Sequence, residues 1–472
     1  MSATVAPSLS SSLSWLNANE QTIASHRGRV VALLFWNASS GYCQNLIGEL
    51  ALLRARHPVH LAVLGIHQPK FDAEVDDRTV LKAINRMGLG FPVANDRGWV
   101  AWQHYGVASW PSVALIDPEG NLRQIVSGDD QAGRLGQMIA ELIDETDQLA
   151  ALPPVFQVRG AEPRQALAFP SGITVTDTHL YVADTGHHRI LECSFTGKVL
   201  RQFGSGHADL VDGSASEAGF RSPRGMCVLR DSLYVADTGN HAIRRISLLD
   251  GRVETLVGRG KPGSPKEGIS ARSDECPLDL PMDVVGDTDR LYLSLAGCNQ
   301  IWELEVGSRR MRFVAGTGEL GIADGPGNKA LFAQPAGMAL VQQTLYVADS
   351  ATSAVRTVHL NHGMVQTLVG QSLYEFGDVD GQRQEARLQY PLALALDSRS
   401  PVLWVADTYN GALRTLRLGG GEMATHGLPQ PLYQPAALAM ARESIWIADA
   451  GQHEILRHDL NTGLLTRVPV DE

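Results

Sequence analysis

The chain opens with hydrophobic runs of two different periods. Residues 29–36, RVVALLFW, carry after Arg29 an unbroken Val/Leu-rich apolar run of strand length, the pattern of a strand buried on both faces. NASSGYCQNLIGELALLRARH follows as a turn passing into an amphipathic helix. HLAVLGIHQ, from His60, reads as a second buried strand, and VLKAINRMG, from Val80, has helical period. SVALIDPEGNLRQIVSG, from Ser112, predicts a β-hairpin turning at Asp117–Asn121, and GRLGQMIAELIDETDQLA closes the region as a helix. Strands alternating with helices, then a hairpin and a final helix, predict an α/β sandwich.

Beyond about residue 166 the pattern becomes short strands, and it repeats. LYVADTG occurs at Leu180–Gly186 and again at Leu233–Gly239. Related copies begin at Leu291, Leu345, Leu403 and Ile445. A proline leads into a short apolar run before each copy: FPSGITV, SPRGMCV, LPMDVV, QPAGMAL, YPLALAL and QPAALAM. Another strand-like run and a fourth, glycine-containing segment follow. Four short strands per repeat describe one propeller blade, and six repeats predict an all-β six-bladed ring. A single blade leaves both faces uncovered, so only the closed ring supplies a core.

The repeats are longer than the about 40–45 residues of a compact WD-type blade. Part of the excess is an Asp-Gly turn eleven residues before the lead-in proline in three of them: Asp212 before Pro223, Asp324 before Pro335 and Asp380 before Pro391. The blade aspartates Asp184, Asp237, Asp349, Asp407 and Asp449 each end a strand. There a carboxylate accepts backbone N–H bonds, so a structural turn role is expected. In the third repeat Leu295 stands in this place. His188, His241 and His453 each lie four residues after their aspartate, in repeats one, two and six, which neighbour one another in a closed ring. They are the candidate metal ligands of the chain, although no acidic or cysteine partner accompanies them in sequence.

These repeats resemble the NHL-repeat family over about residues 166–472. The N-terminal region resembles thioredoxin-like domains at two places. FWNASSGYCQ overlays the redox-active segment, with Trp36 on the family tryptophan, Ser40 on the first cysteine and Cys43 on the second. GVASWPSVALIDPEG places Pro111 on the family's cis-proline, and the resemblance extends to redoxin domains. A thioredoxin-like domain followed by such a propeller is similar to the NHL repeat-containing protein 2 family, in which the active segment carries three cysteines. Here Ser39 and Ser40 replace the first two. Disulfide exchange needs a thiolate attacker, and a serine hydroxyl is not ionised at pH 7. Dithiol oxidoreductase activity is therefore not expected; Trp36, Ser40, Cys43 and Pro111 remain as remnants of a redox site. Cys43 itself is expected to be a small buried hydrophobe.

Composition narrows the function classes. A formal charge of −11 without clustered Lys/Arg argues against nucleic acid as partner. No stretch approaches the about 18 apolar residues of a membrane span, and the Ser-rich start lacks the pattern of a secretory signal. Five dispersed cysteines make no disulfide framework, which suits a reducing cytoplasm. No cofactor motif is present. The expected organisation is an unstructured segment 1–12, a thioredoxin-like domain 13–150, a linker 151–165 whose VFQVR run is a candidate ring-closing strand, and the propeller 166–472. The leading functional expectation is a binding or scaffold protein that recognises a protein or small-molecule ligand. The alternatives are a redox protein working through Cys43 alone, in cellular redox homeostasis, and a metal-dependent propeller lyase or hydrolase.

Overall fold

The computed structural model describes residues 4–145, 160, 162–268, 276–397 and 399–471. The chain divides into two compact units, Met1–Pro163 and Arg164–Glu472.

In the first unit Val30–Trp36 is the central strand. It pairs in parallel with Leu61–His67 and antiparallel with Ser112–Ile116, within a seven-stranded mixed sheet. Because strand side chains alternate, this one run feeds two cores. Val30, Ala32, Leu34 and Trp36 face the helices Gly41–Arg56, Asp77–Met87 and Ala132–Asp144, while Val31, Leu33 and Phe35 meet Ala101 and Tyr105 of the short helix Val100–Tyr105. The hairpin expected from Ser112 is present, turning at Asp117–Asn121, where Asp117 accepts the Asn121 N–H. This is a thioredoxin-like α/β domain.

The start of the chain departs from expectation. Among residues 4–12, Thr4–Val5 pairs with Leu122 and Asn121, Ala6 is buried, and the Tyr105 hydroxyl donates to the Pro7 carbonyl at 2.7 Å. Serine-rich composition does not leave this stretch unstructured, because its few apolar residues and its backbone find partners on the sheet edge.

The second unit is a six-bladed β-propeller in which every blade is built from contiguous sequence. Blade one runs Gly172–Val175, Leu180–Asp184, Arg189–Cys193 and Val199–Phe203; blade six runs Pro435–Ala441, Ser444–Asp449, Glu454–Asp459 and Leu465–Val468. Six hydrophobic clusters, one at each junction between neighbouring blades, form the core. The cluster joining blades six and one contains Ile173, Val182, Cys193, Trp446, Ile455 and Val468, so the ring is closed by packing. The tail adds one backbone bond, from the Val199 N–H to the Asp471 carbonyl at 3.2 Å. The VFQVR run falls outside the described residues.

Candidate functional site

The redox-type segment sits where the central strand hands over to a helix. Ser40 is the N-cap of Gly41–Arg56 in extended conformation, and its hydroxyl accepts the Cys43 N–H at 3.4 Å. A serine suits this position because its oxygen satisfies an N–H that the helix leaves unpaired. Ser40 thus fills the place of an attacking thiol with a structural cap. Cys43 lies one turn in, wholly buried, with the Asn37 N–H at 3.4 Å from its sulfur. Burial pushes its thiol from the usual 9.0 up to about 12; the contacts with Ser40 and Asn37 pull the other way and are outweighed. That displacement corresponds to about 4 kcal/mol against the thiolate, well beyond the about 1 kcal/mol a helix N-terminus supplies. Near pH 7 burial therefore favours the thiol over the thiolate.

Around this pair the tertiary structure assembles groups that no local motif announces. Asn37 donates to Glu74 Oε2 at 2.7 Å and to the Gln68 carbonyl at 2.8 Å, and its own Oδ1 receives the Ser39 hydroxyl at 2.5 Å. Glu74, fully buried, also accepts the backbone N–H groups of Lys70 and Phe71. Trp36 meets the buried His67 ring edge-on at 5.2 Å, and burial lowers the His67 pKa. Trp110 packs against the cluster that holds Trp36 and Cys43, and its indole N–H donates to Gln68 at 3.2 Å. The Trp110–Pro111 bond is cis. Trp99, Trp102 and Trp110 pack edge-on or tilted against one another, with ring centroids 5.2–5.3 Å apart. Trp36, Cys43 and the Pro111 loop are therefore brought together around a buried sulfur; Asn37, Ser39 and Glu74 are committed to hydrogen bonds, whereas Trp36 Nε1, His67 Nε2 and Gln68 Nε2 are buried without a hydrogen-bond partner among the described residues.

In the propeller the repeated aspartates tie each blade's turn to the preceding loop. Asp184, Asp237, Asp349, Asp407 and Asp449 accept the N–H groups of Ala168, Arg221, Ala333, Gln389 and Tyr433, each at 2.7 Å. In blades two, four and five a fully buried arginine seven residues later completes the turn: Arg244 on Asp237, Arg356 on Asp349 and Arg414 on Asp407. The same arginines reach the Asp-Gly turns, at Asp212, Asp324 and Asp380. Sequence shows both aspartates of each trio; the arginine that unites them is visible only as a recurrent letter within a strand.

The three histidines have a related task. The Nδ1 atoms of His188, His241 and His453 accept the N–H groups of Ser222, Leu280 and Phe169, each on the adjoining blade. Asn299 and Ser353 do the same for Gln334 and Tyr390. The acceptor position follows the turn, and histidine is one of several residues that fill it. The Nδ1 of each candidate histidine is thus spent at a different junction, and among the described residues no group of three or more His, Cys, Asp or Glu is arranged to hold a metal.

Fold and site define a class: a thioredoxin-like domain with a serine-substituted redox motif, fused to an NHL-type propeller. Two family models match it. The AhpC/TSA family covers residues 5–125, and the NHL repeat covers residues 167–193 and 220–246. Over 98% of its length the chain is 31% identical to NHL repeat-containing protein 2 of Gallus gallus, covering 71% of that protein. The chain belongs to the NHL repeat-containing protein 2 family. It is also 30% identical, over 98% of its length and 47% of the relative, to Protein SUPPRESSOR OF QUENCHING 1, chloroplastic, of Arabidopsis thaliana. A quarter of the chain is 29% identical to the thiol-disulfide oxidoreductase ResA of Geobacillus thermodenitrificans, covering 64% of it.

Proposed function

We propose that the protein is a recognition module that has given up disulfide exchange: its propeller and its thioredoxin-like domain bind a protein or small ligand and turn nothing over. The observation that carries this reading is the pairing of a capping Ser40 with a Cys43 that is wholly buried, where desolvation disfavours the thiolate. A rigid ring presenting many loops suits recognition, and five reduced thiols suit a reducing compartment such as the cytoplasm. Purified protein is expected not to accelerate insulin reduction beyond the rate of the dithiol donor alone, and native Cys43 to react with iodoacetamide far more slowly than after unfolding. Insulin reduction faster than with the donor alone, or rapid native alkylation at Cys43, overturns the proposal in favour of single-thiol redox chemistry.

A further inference from the structure

The inner strands of all six blades line an axial cavity of about 220 Å³, smaller than the about 300–1,000 Å³ that accommodates drug-sized ligands. Two residues after the lead-in proline, five blades present Gly172, Gly225, Gly337, Ala393 and Ala437 to it. Small residues are required where the next blade's backbone comes close. A Cβ on Gly172 would lie 1.9 Å from the Arg224 carbonyl oxygen, and one on Gly337 2.4 Å from that of Leu392. Blade three alone places a carboxylate there, Asp283. Its neighbouring strand departs as well: Ser294 replaces the alanine found at 183, 236, 348, 406 and 448, and its hydroxyl oxygen accepts the Asp283 N–H at 3.0 Å.

Asp283 is held firmly. Oδ1 accepts the Val284 N–H and Oδ2 the Met338 N–H of the next blade, both at 2.8 Å. A carboxylate offers about four acceptor positions, so these bonds fix its orientation and leave others available. Among the described residues it forms no ion pair; the half-buried Met282 beside it in sequence lines the same cavity, as do Val175, Val285 and Ala439. Arg224 lines the same cavity. We propose that this axial cavity binds a small organic ammonium ion with an apolar body, its charge on Asp283 and its carbon chain along the cavity's apolar lining, Val175, Met282, Val285 and Ala439. The idea rests on reading the chain as a recognition protein. Desolvation holds the Asp283 carboxyl up, at about 7, and a bound cation reverses that by stabilising the ionised form.

The test is calorimetric titration of the full chain with n-pentylammonium chloride at about pH 8, with n-pentanol and sodium pentanoate as controls. The amine is expected to bind at least about tenfold more tightly than the alcohol, and Asp283→Asn to remove that advantage. Wild-type affinity is expected to fall as pH drops through about 7, a readout that stands even if the variant folds poorly. Absence of amine binding, equal binding of the alcohol, preference for pentanoate, or undiminished binding by folded Asp283→Asn overturns the inference. Insulin reduction assayed on the same preparation separates the two claims. Turnover there defeats the recognition reading, whereas no turnover and no amine binding defeats the ammonium site alone.

Discussion

At the scale of single residues, one oxygen atom decides the chemistry of the N-terminal domain. Ser40 keeps the capping bond that a helix start requires and forgoes the ionisation that disulfide attack requires. Replacing it tests that statement in the direction of gain. Ser40→Cys sets a thiol at a helix N-terminus, where its pKa is lowered, three residues from Cys43. The new thiol is expected to form a disulfide with Cys43 on oxidation and to raise insulin reduction at least about tenfold over wild type; intact-mass analysis and the turbidity assay read the two outcomes. This position was legible in the sequence because the whole motif lies within a few residues. Glu74, Gln68 and His67 were not. Each is brought in from another segment, and only the packing that buries them turns ordinary polar letters into partners of Asn37 and Trp36.

At the scale of elements, blade three is a natural variant of its neighbours. Where blade four has the buried pair Asp349 and Arg356, blade three has Leu295 and Trp302, both buried. Burying a charge is costly unless its partner is present, whereas an apolar pair fills the same space without that cost. Asp349→Leu alone is expected to destabilise the propeller by about 3–5 kcal/mol, because it strips the fully buried Arg356 of its fully buried carboxylate partner and leaves only the half-exposed Asp324. Asp349→Leu combined with Arg356→Trp is expected to recover most of that loss; urea unfolding of the three proteins measures both. The junction histidines give a pH-dependent counterpart. Burial, with Arg221 and His187 nearby, lowers the His188 pKa below its ordinary 6.5. The stabilisation from its neutral form is therefore complete above about pH 6.5 and is lost as pH falls. His188→Asn keeps an acceptor, as Asn299 does in blade three, without titrating. Wild type is accordingly expected to lose stability relative to the variant on acidification, seen as converging or crossing melting temperatures between about pH 7 and pH 5.

At the scale of the whole molecule, among the described residues each blade is built from contiguous sequence, and the ring is held by apolar packing between blades six and one and by the tail residue Asp471 lying beside blade one. Gly197 marks that contact. Its φ is +96°, and an added Cβ would meet the Pro469 carbonyl oxygen at 1.9 Å. Gly197→Ala is expected to cost about 2 kcal/mol through backbone strain and displacement of the tail, read as a lower melting temperature with hydrogen exchange accelerated first in blade six. An unchanged melting temperature would mean that the tail does not secure the ring. The axial cavity belongs to this scale too, since no fewer than six blades create it.

By itself the sequence determined what is local or periodic: two kinds of architecture, six blades, the turn aspartates and the loss of the attacking thiol. Such features are written within a few residues of one another or recur at a fixed interval, and backbone geometry converts them directly into strands, caps and turns. Only the tertiary structure decided what depends on distant residues meeting. It turned three suspected metal ligands into bonds between blades, tied the Asp-Gly turns to buried arginines, and ordered residues 4–12 against a sheet edge. It also placed Asp283, one odd letter in a repeat, in the lining of the axial cavity. Desolvation and neighbour charge arise only once the chain has closed around them, so no pattern of letters states them in advance.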